Sequence, residues 1–157
     1  MLAAIDAVEA ALGPPPAGYK YVKAILDSGA EETVTPPDLF SQPVVESAMQ
    51  RAGGRYRAAN GTRIPNLGEQ RVPFQTADGH RCILLFQVAP IEKPLISVAQ
   101  LSRAGNRVVL DDAGGFIENK KSGQKMRVTK EGNTYTLIMN VKTDPGPATG
   151  FARRGSP

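Results

Sequence analysis

Residues 25–34 read Ile25-Leu26-Asp27-Ser28-Gly29-Ala30-Glu31-Glu32-Thr33-Val34, and this stretch decides the fold. An apolar run (Tyr21, Val22, Ala24, Ile25, Leu26) leads into a single carboxylate. A run of that composition predicts a strand entering a core. A small hydroxyl residue, a glycine and an alanine follow at once, and glycine lets a backbone turn tightly with no Cβ in the way. The pattern predicts an acid held on a loop at the end of a rigid strand, with backbone amides exposed around it. The plainer alternative is a strand that ends in a solvated Asx-type turn.

Outward from this loop the pattern is mostly strands. Tyr19 to Leu26 is the first, and Arg55–Ala59 and Arg71–Thr76 read as strands around an irregular middle. Ala77-Asp78-Gly79 is a hairpin turn signal. Arg81 to Val88 is nearly all apolar, which suits a strand covered on both faces. Pro43 to Arg51 reads as a short helix, with proline in its first turn and Gly53 as its stop. Ser97-Val98-Ala99-Gln100 has the spacing of a capping box, with Gly105 ending the helix it opens. Beyond it, Arg107–Leu110, Phe116–Asn119, Met126–Thr129 and Thr134–Val141 read as strands. The turns between them fall at Asp112–Gly115 and Glu131–Asn133.

The ends differ from this middle. Residues 1–17 read as a short helix, with Leu2, Ile5, Val8 and Leu12 on one stripe, followed by a linker at Gly13-Pro14-Pro15-Pro16. Residues 143–157 are rich in Gly, Pro and Arg, which argues for a flexible tail. The folded domain is therefore expected over 18–142. A chain of 157 residues suits one domain with a real core.

The 25–34 stretch resembles the active-site loop of the retropepsin-like aspartic proteases, in which Asp-Thr/Ser-Gly-Ala is followed by two acidic residues and an apolar segment. The resemblance extends to about residues 19–111. Ala59-Asn60-Gly61-Thr62-Arg63-Ile64 through Gly68 sits where that family places a flap hairpin. Pro94-Leu95-Ile96-Ser97 sits where it places an apolar turn before a helix. The turn usually carries glycine where this chain has Ser97. A similar serine, followed by Val-x-Gln-Leu, occurs in proteases of copia-like retrotransposons. Residues 114–141 have no counterpart in the compact viral enzymes. The fold this implies is mainly β, a retropepsin-like closed β-barrel (the acid protease fold) with one or two short helices.

The resemblance also implies an activity: hydrolysis of peptide bonds in a retroelement polyprotein, by two carboxylates acting on one water. Two such groups about 3 Å apart cannot both ionise, so one serves as base and the other as acid. The chain has a single Asp-Ser/Thr-Gly motif, since Asp111-Asp112 lacks the hydroxyl–glycine context. A homodimer is therefore expected, each copy contributing Asp27 across a two-fold axis. By resemblance, Asp27 is the acid/base group, Ser28 braces the two loops across the dimer, and Gly29 offers its amide to the carboxylate. Ala30 keeps the wall small, Glu31 and Glu32 contact substrate backbone or steady the loop, and Asn60 and Gly61 belong to the flap. An extended polypeptide is the implied substrate, with no cofactor.

Other chemistries fit less well. A zinc site needs more ligands than the single His80 and single Cys82 provide. On a strand these two stand roughly 7 Å apart, too far for direct proton transfer. Cys82 reads instead as a small apolar core residue, and one cysteine excludes an internal disulfide. There is no Gly-x-Ser-x-Gly elbow and no phosphate loop. Net charge is +4 but diffuse, and without tryptophan or interleaved aromatic residues no specific nucleic-acid partner is expected. No apolar run approaches the ~20 residues that span a bilayer, so no membrane partner is expected. Met1–Leu12 carries acids where a secretory signal carries basic residues, which favours an intracellular setting. Two non-catalytic readings stand beside the enzyme. One is a retropepsin-like dimerising or peptide-binding module that has lost turnover, which Ser97 encourages. The other is a plain β-barrel interaction domain.

Overall fold

The structure is a computed structural model and describes residues 8–57, 61 and 63–143. A helical segment at residues 8–12 (α1) precedes β1 (Tyr19–Asp27), β2 (Val34–Thr35), α2 (Ala48–Arg51), β3 (Arg55–Arg57) and β4 (Arg63–Pro65). Then come β5 (Gly68–Thr76), β6 (Arg81–Val88), β7 (Leu95–Ser97), α3 (Val98–Arg103), β8 (Asn106–Asp111), β9 (Gly114–Asn119), β10 (Lys125–Glu131) and β11 (Thr134–Lys142). The fold is mainly β.

Strand β1 alternates as a half-buried strand should: Val22, Ala24 and Leu26 point inward and the residues between them are partly exposed. It pairs antiparallel with β11, Ala24 opposite Leu137 and Val22 opposite Met139. At its C-terminal end it pairs in parallel with β7. The pairings run β1–β7–β2–β6–β5–β11, and β11 returns to β1, so the main sheet is ring-like. Strands β10, β9 and β8 extend from β11 as a meander. Phe40, Val72, Phe74, Phe86, Ile96, Ile117, Val128 and Leu137 fill the core, with the Phe40 and Phe86 rings 5.0 Å apart between centroids.

Three local expectations change. Residues 43–46 are not helical, because the backbone of Val45 exchanges both hydrogen bonds with Glu69 of β5. The helix there is only α2, and it starts at Ser47, whose hydroxyl accepts from Gln50 N–H while the Gln50 side chain reaches back to Ser47 N–H. Strand β6 is covered on one face only. Cys82, Leu84 and Phe86 face the core, while Ile83 is 58% exposed and Leu85 37%. Strand β5 starts earlier than its sequence suggests, at Gly68 (φ +131°), where the 44–45 segment crosses it. Its Pro73 lies between the Glu69–Val45 bridge and the Gln75–Asn140 pair, at a gap in the ladder where a missing N–H costs nothing.

At the N-terminal side, Val8 is buried and Tyr21 Oη donates to Gly13 O at 3.0 Å. No described helix is long and apolar enough to cross a membrane.

Candidate active site

Asp27 is the last residue of β1, and its neighbour in the parallel pairing is Ser97, the last residue of β7. Burial of Leu26 and Ile96 just before them roots both strand ends in the core. The loop 28–33 then leaves the sheet. Its Gly29 N–H donates to Asp27 Oδ1 at 2.8 Å, which is the Asx geometry the aspartate can form alone. Asp27 Oδ2 has no hydrogen-bond partner among the described residues. Asp27 is half-buried, and Ser28 and Gly29 are exposed. One carboxylate oxygen is therefore oriented by the loop and the other is open.

Gly29 departs from its expected reason. Its φ is not in the left-handed region, and an added Cβ would make only an ordinary 3.5 Å contact with Asp27 Oδ1. Nothing among the described residues requires glycine there.

The far end of the loop is clamped to the start of α3. Ser97, fully buried, donates from Oγ to Ala30 O at 2.7 Å and accepts from Gln100 N–H at 3.0 Å. Ser97 N–H donates to Thr33 Oγ1 at 3.1 Å, and Thr33 N–H donates to Gln100 Oε1 at 2.8 Å. The expected capping box at Ser97 is thus only half formed, because the Gln100 side chain is taken by Thr33. Arg103 Nη2 adds a bond to Glu31 O at 3.3 Å, and Gln87 N–H donates to Thr33 O at 2.8 Å. The Glu31 residue is exposed and Glu32 half-buried.

Strands β3 and β4 make a separate two-stranded hairpin, with Arg57 opposite Arg63, in the segment where the resemblance implies a flap. Gly61 lies in its turn with φ +87°, while Asn60 falls outside the described residues. Asn66, buried, ties the hairpin's base to the sheet. Its Oδ1 accepts from Ser47 Oγ at 2.7 Å and from Gly68 N–H at 2.8 Å, and its Nδ2 donates to Gln87 Oε1 at 2.8 Å. Gln87 therefore touches both the hairpin base and the end of the Asp27 loop.

The structure brings Asp27, Ser28, Gly29, Ala30, Glu31 and Glu32 together on one loop and leaves Gly61 on a separate hairpin. Sequence reading passed over Thr33 and Asn66 as parts of the site, and gave Gln100 a capping role alone. The signal for the first was a threonine wedged before the apolar Val34, since a buried polar group must find a partner.

Size alone does not mark another site. A groove of about 690 Å³ lies away from Asp27, between Tyr19, Gln42, Pro73, Ile83 and Asn140, and no carboxylate lines it. Cys82 packs against the core with its Sγ 3.2 Å from Met126 Sδ. Burial, and secondarily the negative charge of Asp78, pushes its thiol pKa up, the opposite of what a nucleophile needs. His80 is engaged by Gln124 and lies 3.8 Å from Asp78. Among the described residues no group of three or more His, Cys, Asp or Glu is placed to hold a metal ion. No family model matches the chain, and no curated protein matches it.

Proposed function

We propose that two copies of this chain form an aspartic endopeptidase of the retropepsin-like kind, each copy a closed β-barrel that contributes one Asp27 to a shared site. The observation that carries this reading is the state of Asp27: one oxygen oriented by Gly29 N–H, the other without a partner among the described residues, on a loop braced at Ala30 and Thr33. A lone carboxylate cannot both take a proton from water and give one to the scissile carbonyl. The chain offers no second Asp-Ser/Thr-Gly, so the second carboxylate comes from a second copy. The return of the strand pairing to β1 supports the barrel, and the exposure of Ser28 and Gly29 leaves the loop accessible to a partner.

In this reading Asp27 of one copy, ionised, activates the water, and Asp27 of the other, protonated, polarises the carbonyl. Ser28 braces the paired loops. Ala30, Glu31 and Glu32 line the path of an extended substrate, and the β3–β4 hairpin closes over it with Asn60 and Gly61 near its tip. A retroelement polyprotein is the substrate class that the loop's sequence favours. Ser97, the residue that departs most from the family pattern, is engaged in holding the loop, so its presence is no argument for lost turnover.

The test is cleavage of a mixed peptide library at mildly acidic pH, inhibited by a statine-type mimic of the tetrahedral intermediate. Asp27→Asn should reduce cleavage to background at an unchanged melting temperature, and sedimentation should show a concentration-dependent dimer. Undiminished cleavage by Asp27→Asn, or by a strictly monomeric species, would refute the proposal. Peptide binding without products would mark a non-catalytic module instead.

A further inference from the structure

We infer that Ser97 is a positioning residue of the Asp27 site, its hydroxyl setting where the loop that carries Asp27 stands. The inference rests on the proteolytic reading and deepens it. A serine hydroxyl has one proton. Gln100 N–H is a donor and must be met by a lone pair of Oγ, so the proton is directed to Ala30 O, 2.7 Å away. Ser97 is fully buried, which keeps bulk water from competing for either bond.

The same residue holds the loop's other half through its backbone. Ser97 N–H meets Thr33 Oγ1 at 3.1 Å, and Thr33 N–H returns to Gln100 Oε1 at 2.8 Å. Ala30 and Thr33, at the two halves of loop 28–33, are thus fixed to one helix start. That helix start is continuous with β7, which runs parallel to β1 and pairs Ser97 with Asp27 itself. A glycine at 97 would keep the N–H contact and lose both hydroxyl contacts. Two carboxylates acting on one water tolerate little displacement, since a misplacement of about 1 Å costs roughly a hundredfold in rate. Ser97 touches neither substrate nor water in this scheme and acts through Ala30.

The experiment uses the full chain and a peptide that the wild type cleaves. Ser97→Ala should lower kcat by about tenfold to a hundredfold with KM within about twofold. It should also shift the pH–rate profile, because the spacing of the two carboxylates sets how they share a proton. A purely structural serine would move neither. A folded Ser97→Ala with wild-type kcat and pH profile would overturn the inference. Should Ser97→Ala fail to fold, Ser97→Cys keeps a side chain of similar shape and replaces the hydroxyl by a thiol, a weak donor and weak acceptor, at both bonds. It should lower kcat by about tenfold with KM within about twofold. Wild-type kinetics in a folded Ser97→Cys would overturn the inference as well. A wild-type chain without turnover overturns the proteolytic reading itself, an outcome distinct from an active wild type whose variants are unchanged.

Discussion

Helices α2 and α3 both start at a serine followed three residues later by a glutamine, Ser47-Ala48-Met49-Gln50 and Ser97-Val98-Ala99-Gln100. Each serine caps its helix, and each donates its own proton outward, Ser47 to Asn66 at the base of the hairpin and Ser97 to Ala30 in the Asp27 loop. The glutamines part ways. Gln50 closes back on Ser47 N–H, completing a local box. Gln100 finds Ser97 N–H already taken by Thr33 Oγ1, and its own oxygen accepts from Thr33 N–H instead. A capping motif therefore fixes where a helix begins, and the nearest unmet N–H fixes where the glutamine goes. One glutamine closes on its own helix start and the other is tied to the Asp27 loop.

Glycines test this contrast most severely. In the closed region Gly68 has φ +131°, and a Cβ there would lie 2.6 Å from Val45 O and from Val44 Cγ1. Gly68→Ala combines backbone strain with a clash against main chain, and should destabilise by about 3 kcal/mol or more, read from a denaturant midpoint. A loss under about 1 kcal/mol would show that the 44–45 crossing yields easily.

Gly29, in the open region, has no such reason to be glycine among the described residues. Gly29→Ala should leave the stability of the single chain within about 0.5 kcal/mol, or raise it slightly by restricting the unfolded chain. It should nonetheless weaken dimerisation and cleavage, because the missing Cβ faces outward, where the proposed partner and substrate approach. Normal assembly and turnover in Gly29→Ala would break the link between the open loop and a second copy.

What could be read from sequence follows the same division. The Asp27 loop was legible because its strand, acid, turn and acidic pair are consecutive. The turns at Asp78-Gly79 and Gly132-Asn133 were legible for the same reason, and β5–β6 and β10–β11 pair about them. Pro43 and Ser47 both signal a helix start, and only the distant Glu69, holding Val45 in an extended bridge, decides for Ser47. Ile83 and Leu85 share the apolar run with Leu84 and Phe86, and composition alone does not show that one face lacks a covering layer. The Ser97 cap was visible in its tetrad. The destination of Gln100 was not, because Thr33 lies 67 residues away in the chain.

The smallest effect separates the glutamines themselves. Gln50 is exposed, and its box bond to Ser47 N–H is long at 3.4 Å. Gln50→Ala removes a weak bond and gains helix propensity, so stability should stay within about 0.5 kcal/mol of wild type. Gln100→Ala gains the same propensity but leaves the N–H of Thr33, a residue 2% exposed, without its acceptor. An unmet buried N–H costs about 1–3 kcal/mol, so the net loss should be about 1 kcal/mol or more. Parallel urea titrations of the two variants measure the difference directly, with no assumption about activity. Equal midpoints would mean that loop 28–33 relaxes to water when released. The α3 end of the molecule would then be as self-contained as the α2 end, and the tether would hold the loop's position without holding the fold.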